Sequence, residues 1–335
     1  VPGVGVCIIA EIGSVHDGSF GNAQRLVDAA EEVGANVAKF QTHLAAAETL
    51  RNAPPPPYFQ GEPRFEYFER TGFSVAKWKT LKSHCDSRHI EFMSSPFSIE
   101  AVDLLEEVGV VRHKVGSGEI TNTPMLDAIG RTKRPVILSS GMSSWRELDE
   151  AVNVILRHHD QITLLQCTTS YPCAYEDVGL NVMLALRERY RLPVGLSDHT
   201  LTTFAPIAAV ALGATVIEKH LTFSRRMYGS DARHSLEPDE FRDMVAGIRA
   251  VETMLASPVD KDATARRLQP MKDVFEKSVV AAVDIAPNTT LTAEMLTVKK
   301  PGVGIPARRL PELIGRTTLK AIPKDTLMSE DALHA

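Results

Sequence analysis

Several things are missing from this chain, and each absence closes off a class of function. No apolar run approaches the roughly 20 residues that a membrane-spanning helix needs, so a membrane span is excluded. Basic charge is not in excess: 37 Lys and Arg stand against 42 Asp and Glu, a net charge of -5 with both signs interspersed. A surface that grips a nucleic-acid backbone needs the opposite balance, so no nucleic-acid partner is expected and small-molecule chemistry is. Cysteine is scarce. Cys7, Cys85, Cys167 and Cys173 form no CxxC pair, and the opening Val1-Pro2-Gly3 lacks the basic, apolar and small-residue order of a secretory signal. Scattered thiols of this kind point to a reducing cytoplasm.

What is present is ordinary in amount and telling in order. With 335 residues, 44% hydrophobic and 24% charged, the chain has room for one large domain plus a small one and can bury a sizeable core. From the N-terminus to about residue 256, short apolar or β-branched runs alternate with longer amphipathic patterns. Eight strands are predicted, at 6–12, 36–41, 91–95, 110–115, 135–139, 162–166, 193–196 and 215–219. Between them, stretches such as 23–30 and 145–152 space apolar residues three and four apart and read as helices. Eight βα units, each with a short buried strand and its own crossover helix, predict an α/β fold of the (β/α)8 TIM-barrel type. A doubly wound open sheet is the alternative.

Two regions break this rhythm. Residues 43–70 hold Pro54-Pro55-Pro56-Pro57 and then Tyr58, Phe59, Phe65, Tyr67 and Phe68 without a clear period, which predicts a long loop packed as a lid. Residues 257–277 are charged and weakly patterned and read as a linker. From 278 to 335 the composition changes to short strands with Gly and Pro turns, a small β-rich domain that is marginal alone.

In a barrel the active site lies at the C-terminal strand ends, and here those ends are polar. They carry Glu11; Lys39 and Gln41; Lys114, Ser117 and Glu119; Ser139; Thr169 and Tyr171; Ser197 and His199; and Glu218 and His220. Two imidazoles at consecutive strand ends, His199 and His220, are positioned to converge on one divalent metal. Two lysines aimed into one mouth repel unless an anion lies between them, so an anionic substrate is expected. Glu11, Glu119 and Glu218 are candidate proton carriers. Beyond the last strand Asp231 stands in a polar loop within reach of a polyol hydroxyl, whereas Arg233 and His234 are read as solvent-facing.

Taken together, Ile9-Ala10-Glu11-Ile12-Gly13, Lys39-Phe40-Gln41-Thr42, Ser94-Ser95-Pro96-Phe97, Lys114-Val115-Gly116-Ser117-Gly118-Glu119, Leu138-Ser139-Ser140-Gly141-Met142, Cys167-Thr168-Thr169-Ser170-Tyr171-Pro172, Gly195-Leu196-Ser197-Asp198-His199 and Glu218-Lys219-His220 resemble the sialic acid synthase family. That family includes legionaminic and pseudaminic acid synthases. The resemblance spans nearly the whole chain and implies a barrel over 1–256, a linker over 257–277 and an antifreeze-like (SAF) domain over 278–335. It implies a metal-dependent transferase that condenses phosphoenolpyruvate with N-acetylmannosamine or a related N-acyl hexosamine, with C–O cleavage and phosphate release. His199 and His220 would hold the metal, Mn2+ first, with Mg2+ or Co2+ as alternatives. Lys39, Lys114, Ser117, Ser139, Thr169 and Ser197 would cradle phosphoenolpyruvate. Gln41, Tyr171, Asp231 and Lys300 would face the sugar, and Glu11, Glu119 and Glu218 would serve catalysis.

The resemblance also implies a domain-swapped homodimer in which the tail of one subunit covers the barrel of the other. Three positions depart from the family pattern: Thr169 replaces a common asparagine, Val15-His16-Asp17-Gly18 replaces Asn-His-Asn-Gly, and Lys300 replaces an arginine, losing the planar fork. Two other functions compete. A related synthase acting on a sugar phosphate would need a further basic site, and a noncatalytic carbohydrate-binding protein would not need two lysines, two histidines and several carboxylates at strand ends.

Overall fold

The computed structural model describes residues 5–54 and 61–334. Eight strands form the first unit: β1 (Cys7–Gly13), β2 (Val37–Thr42), β3 (Glu91–Pro96), β4 (His113–Val115), β5 (Val136–Ser139), β6 (Ile162–Cys167), β7 (Val194–Asp198) and β8 (Val216–His220). They pair in parallel in the order β3-β2-β1-β8-β7-β6-β5-β4, and β3 also lies against β4, so the sheet curls into a nearly closed TIM-like barrel. This excludes the open doubly wound sheet.

Alternation along each strand fills the barrel in layers. Ile9, Val37, Met93, Ile137, Leu165 and Val216 meet as one dry interior layer. Two residues further along their strands come Glu11, Lys39, Ser95, Ser139, Cys167 and Glu218, so the same periodicity that packs the floor delivers the polar groups above it. The outward residues, among them Ile8, Ala10, Ala38, Phe40 and Leu164, pack against the surrounding helices in the main core. The helix Trp145–Leu156 shows how sharply the sequence starts such an element: Ser144 and Glu147 form a capping box, and Leu148, Ala151, Val152 and Ile155 are buried.

Two sequence expectations change. β4 is three residues long and not 110–115, because Gly109 ends the Ile99–Val108 helix in the left-handed conformation (φ 85°) and the Val110 amide returns to the Leu105 carbonyl. Those residues finish a helix cap instead of joining the ladder. The 43–70 insertion is not aperiodic throughout, since it contains helices at Ala45–Glu48 and Arg64–Thr71 with Phe65 and Tyr67 buried. Pro55, Pro56, Pro57, Tyr58 and Phe59 lie outside the described residues.

The second compact unit runs over 257–335. The stretch expected as a linker carries two short helices, Lys261–Arg267 and Gln269–Phe275. Beyond it β9 (Ser278–Ala281) and β10 (Leu296–Lys299) pair antiparallel, and Val279, Ile285, Leu291, Leu313, Ile322 and Met328 belong to a separate small core. All four cysteines are free. Among the described residues no helix is long and apolar enough to cross a membrane.

Candidate active site

A cavity of about 290 Å³ opens at the C-terminal ends of the barrel strands. Its lining includes Glu11, Lys39, Gln41, Lys114, Ser117, Ser139, Thr169, Tyr171, Ser197, His199, Glu218, His220 and Asp231, so thirteen of the fifteen residues singled out from the sequence converge there.

At its base lies a buried charge cluster. Glu218 accepts a hydrogen bond from Ser197 Oγ at 3.0 Å and lies 3.4 Å from Lys114 Nζ and 3.8 Å from Lys39 Nζ. Lys39 also pairs with Glu11 at 2.7 Å, Gln41 donates to Glu11 at 2.9 Å, and Lys114 donates to Ser139 Oγ at 2.8 Å. The two lysines are therefore separated by carboxylates of the chain itself.

Those carboxylates are displaced in opposite directions. Burial, reinforced by the Glu218 charge, raises the Glu11 carboxyl above its ordinary range despite Lys39. Burial also opposes ionisation of Glu218, but the Lys114 and Lys39 ammoniums outweigh it and hold that carboxyl low. Burial lowers Lys114, while Glu11 and Glu218 more than offset burial at Lys39. With Glu218 ionised and Glu11 holding a proton, the cluster is net positive and can take an anion.

Two glycines make room for the hydroxyl and carboxylate groups around it. Gly141, at φ 28°, lies so close to Ser117 and Thr169 that a Cβ there would come within 2.0 Å of Ser117 Oγ and 2.7 Å of Thr169 Oγ1. Gly13, at φ 55°, plays the same part beneath Asp231, whose Oδ2 would lie 2.4 Å from an added Cβ. A side chain at either position would displace a polar group from the wall.

The imidazoles meet at the rim. His199 and His220 have ring centroids 5.5 Å apart, and Tyr171 packs 4.2 Å from the former and 6.2 Å from the latter. The Nδ1 of His199 donates to the Thr168 carbonyl at 2.8 Å, which leaves Nε2 with its lone pair. His220 Nδ1 is buried and has no hydrogen-bond partner. Burial lowers both rings, His199 to about 4, so both are neutral and able to act as ligands. Among the described residues no group of three or more His, Cys, Asp or Glu is arranged to hold a metal. Two neutral imidazoles, one with an orphaned nitrogen, fit a divalent ion whose remaining positions go to substrate and water.

Two sequence candidates lie elsewhere. Glu119 sits on the Ser117–Glu119 turn, accepts from Asn122 at 2.8 Å and lines a neighbouring cavity with Glu48, Glu100 and Arg64. Lys300 belongs to the second unit, where its ammonium lies 5.0 Å from the Phe275 ring centre. His234, read as solvent-facing, is half-buried with its ring 5.8 Å from Tyr171. The structure adds wall residues that the sequence reading did not single out as site residues, chiefly His43, Glu62, Arg64 and Phe68. For His43 a signal existed, since it stands two residues beyond Gln41 and continues the inward alternation.

A parallel barrel with ammonium groups, hydroxyls and imidazoles gathered at its strand ends, followed by a small antiparallel β unit, defines the class. The chain belongs to the NeuB family, whose model matches residues 26–260, and a SAF domain matches 276–333. It is 36% identical to the N,N'-diacetyllegionaminic acid synthase of Campylobacter jejuni, over 96% of this chain and 98% of that protein. Identity is also 36% to the N-acetylneuraminate-9-phosphate synthase of Mus musculus, over 98% and 92% of the two chains. The crystal structure of the N-acetylneuraminic acid synthetase of Leptospira borgpetersenii, in complex with citrate, superposes with a TM-score of 0.70 at 30% identity, covering 81% of this chain and 93% of that one. These relatives are named synthases, so the chain is of a biosynthetic enzyme family of the sialic, legionaminic and pseudaminic acids.

Proposed function

We propose that the enzyme condenses phosphoenolpyruvate with an open-chain N-acyl hexosamine to give a nonulosonic acid and inorganic phosphate. The observation that carries this reading is the Lys39 and Lys114 pair at the base of the cavity, left net positive when Glu11 is protonated. Its hydroxyl surround of Ser117, Ser139, Thr169 and Ser197 supports a tetrahedral, multiply charged ligand such as a phosphate ester. In this reading C3 of phosphoenolpyruvate adds to the sugar aldehyde, and the new C–C bond leaves positive character at C2. Water adds at C2, and the tetrahedral intermediate expels phosphate by C–O cleavage.

The raised Glu11 supports giving it the proton to the developing alkoxide, and the ionised Glu218 supports the cationic centre. Glu119, outside the cavity, takes no step. Gln41, Tyr171 and Asp231 orient the sugar. A divalent ion held by His199 and His220, Mn2+ with Mg2+ and Co2+ as alternatives, would supply Lewis acidity toward the acceptor carbonyl. We further propose a cytoplasmic homodimer that exchanges its small units, bringing Lys300 of one subunit to the sugar site of the other.

Arg64 in the cavity wall favours one variant of this reading, an acceptor that carries a phosphate. The test is a panel containing N-acetylmannosamine, its 6-phosphate and 2,4-diacetamido-trideoxyhexoses, each with phosphoenolpyruvate and Mn2+. Phosphate release matched by the mass of a nine-carbon acid is the expected result. Release with no sugar-dependent product, or with none of the panel, would overturn the assignment.

A further inference from the structure

Three loops meet at one side of the cavity mouth, and a single guanidinium joins them. Arg70, on the Arg64–Thr71 helix of the insertion after β2, donates from Nη2 to Asp17 Oδ1 at 2.8 Å and from Nη1 to the Asp17 carbonyl at 3.2 Å. It also donates from Nη2 and Nε to the two carboxylate oxygens of Glu62, at 2.6 and 3.2 Å. The planar fork is thus used twice, once on the loop after β1 and once on the insertion, which a lysine ammonium cannot reproduce. Asp17, where the family pattern has asparagine, gives the guanidinium a charged partner. The backbone is shaped for this contact: Gly18 is at φ 76°, and a Cβ on it would lie 2.7 Å from the Arg70 carbonyl oxygen.

The third loop follows β8. Tyr228 donates its hydroxyl to Glu62 Oε1 at 3.2 Å. Tyr67, three residues before Arg70 on the same helix, has its ring centre 5.5 Å from the guanidinium and its hydroxyl against Gly229, where an added Cβ would lie 3.3 Å from it. Just beyond, Ser230 Oγ donates to Asp231 Oδ1 at 2.8 Å, and the Ser14 amide donates to Asp231 Oδ2 at 3.4 Å. Glu62, Tyr67, Ser230 and Asp231 line the cavity, whereas Arg70, Asp17 and Tyr228 are not part of its lining. The Arg70 hydrogen bond holds the Glu62 carboxyl below its ordinary range, so it stays an ionised acceptor at neutral pH.

We infer that Arg70 is a positioning residue for the sugar end of the site: it clasps Asp17 to Glu62 and, through Glu62 and Tyr228, holds the loop after β8 so that the Glu62 and Asp231 carboxylates face the acceptor. Glu62 is thereby a further sugar-binding residue, which accepts from a hydroxyl or an amide N–H. The Arg70, Asp17 and Glu62 side chains are 40%, 35% and 21% exposed. Pairs so exposed add little to global stability, so loss of the clasp loosens the rim and leaves the barrel folded.

Hydrogen exchange of the full chain tests the clasp without any assumption about the reaction. In Arg70→Met, peptides covering 64–71 and 224–236 should exchange at least ~5-fold faster through easier local opening. The helix Trp145–Leu156, which follows β5 on the opposite side of the barrel, should not change. Lys79→Met, which removes an exposed pair with Glu107 elsewhere, is the control and should leave both peptides as in the parent. Should Arg70→Met not fold, Asp17→Asn breaks the same clasp from the other side and keeps a residue that tolerates the left-handed backbone. Parental exchange over 224–236 would overturn the inference. The sugar-facing role rests on the function proposed above: Arg70→Met should raise the KM for the sugar about 10-fold and leave that for phosphoenolpyruvate within about twofold. Arg70→Lys should restore little of the loss. Equal rises in both KM values, or full recovery with lysine, would reject the positioning role. A parent enzyme silent toward every sugar would count against that function and leave the exchange result standing.

Discussion

Single residues decide whether the cavity can hold an anion at all, and Gly141 is the sharpest case. Its backbone leaves the space in which the Ser117 and Thr169 hydroxyls converge, and at φ 28° it is in a conformation L side chains rarely adopt. In Gly141→Ala the methyl group meets Ser117 on the short turn that carries it, so the hydroxyls part and the backbone is strained. Phosphoenolpyruvate binding, measured by calorimetry, should weaken at least ~10-fold, which is about 1.4 kcal/mol. Gly21→Ala is the control, because an added Cβ there meets nothing within 4 Å. Unchanged affinity in Gly141→Ala would remove Ser117 and Thr169 from the anion site. The charge cluster works at the same scale: Glu11 and Glu218 share a lysine, yet their surroundings push them apart, which allows one carboxyl to hold a proton while the other stays ionised.

At the scale of elements, the tips of β7 and β8 are held by a network on the outer side of the barrel wall. Lys219 Nζ lies 2.5 Å from Asp198 Oδ2 and also donates to the Thr200 carbonyl, while the Thr200 hydroxyl and amide donate to Asp198. The lysine is 1% exposed and its partner 2%. Lys219→Met would leave Asp198 buried without a counter-charge, at a cost of roughly 3–5 kcal/mol. Adding Asp198→Asn should recover part of that loss. Urea unfolding of the parent and the two variants measures both values, and a single-variant loss below about 1 kcal/mol would show that the pair carries no buried charge. The strand tips were legible in the sequence because an inward period of two continues from the apolar floor into the polar mouth. That rule places Glu11, Lys39, Gln41, Glu218 and His220 without any knowledge of the fold's details. It does not extend to Glu119, which sits on a 3-10 turn whose residues no longer alternate. Nor does it reach Glu62, Arg64 and Phe68, whose place in the wall depends on how the insertion folds back and not on any local pattern. β4 is shorter than the sequence predicts for a related reason: Val110 is apolar and fully buried, but it is buried in finishing a helix.

At the scale of the whole molecule, the proposed exchange of small units is open to a direct test. The second unit has its own small apolar core and brings Lys300, the single proposed sugar-facing residue that the barrel does not supply. If small units are exchanged in a homodimer, as proposed, a barrel-defective chain and a tail-defective chain complement one another. Glu218→Gln disables the charge cluster, and Lys300→Glu reverses the charge offered to the sugar. In a mixed dimer with exchange, one site joins an intact barrel to an intact tail and the other collects both defects. Without exchange, each site keeps one defect. Refolding equal amounts of the two variants together should therefore restore about one quarter of parental activity, since half the dimers are mixed and each has one good site. Sedimentation should show a dimer throughout. Activity that stays at the average of the two separate variants would mean that each tail serves its own barrel.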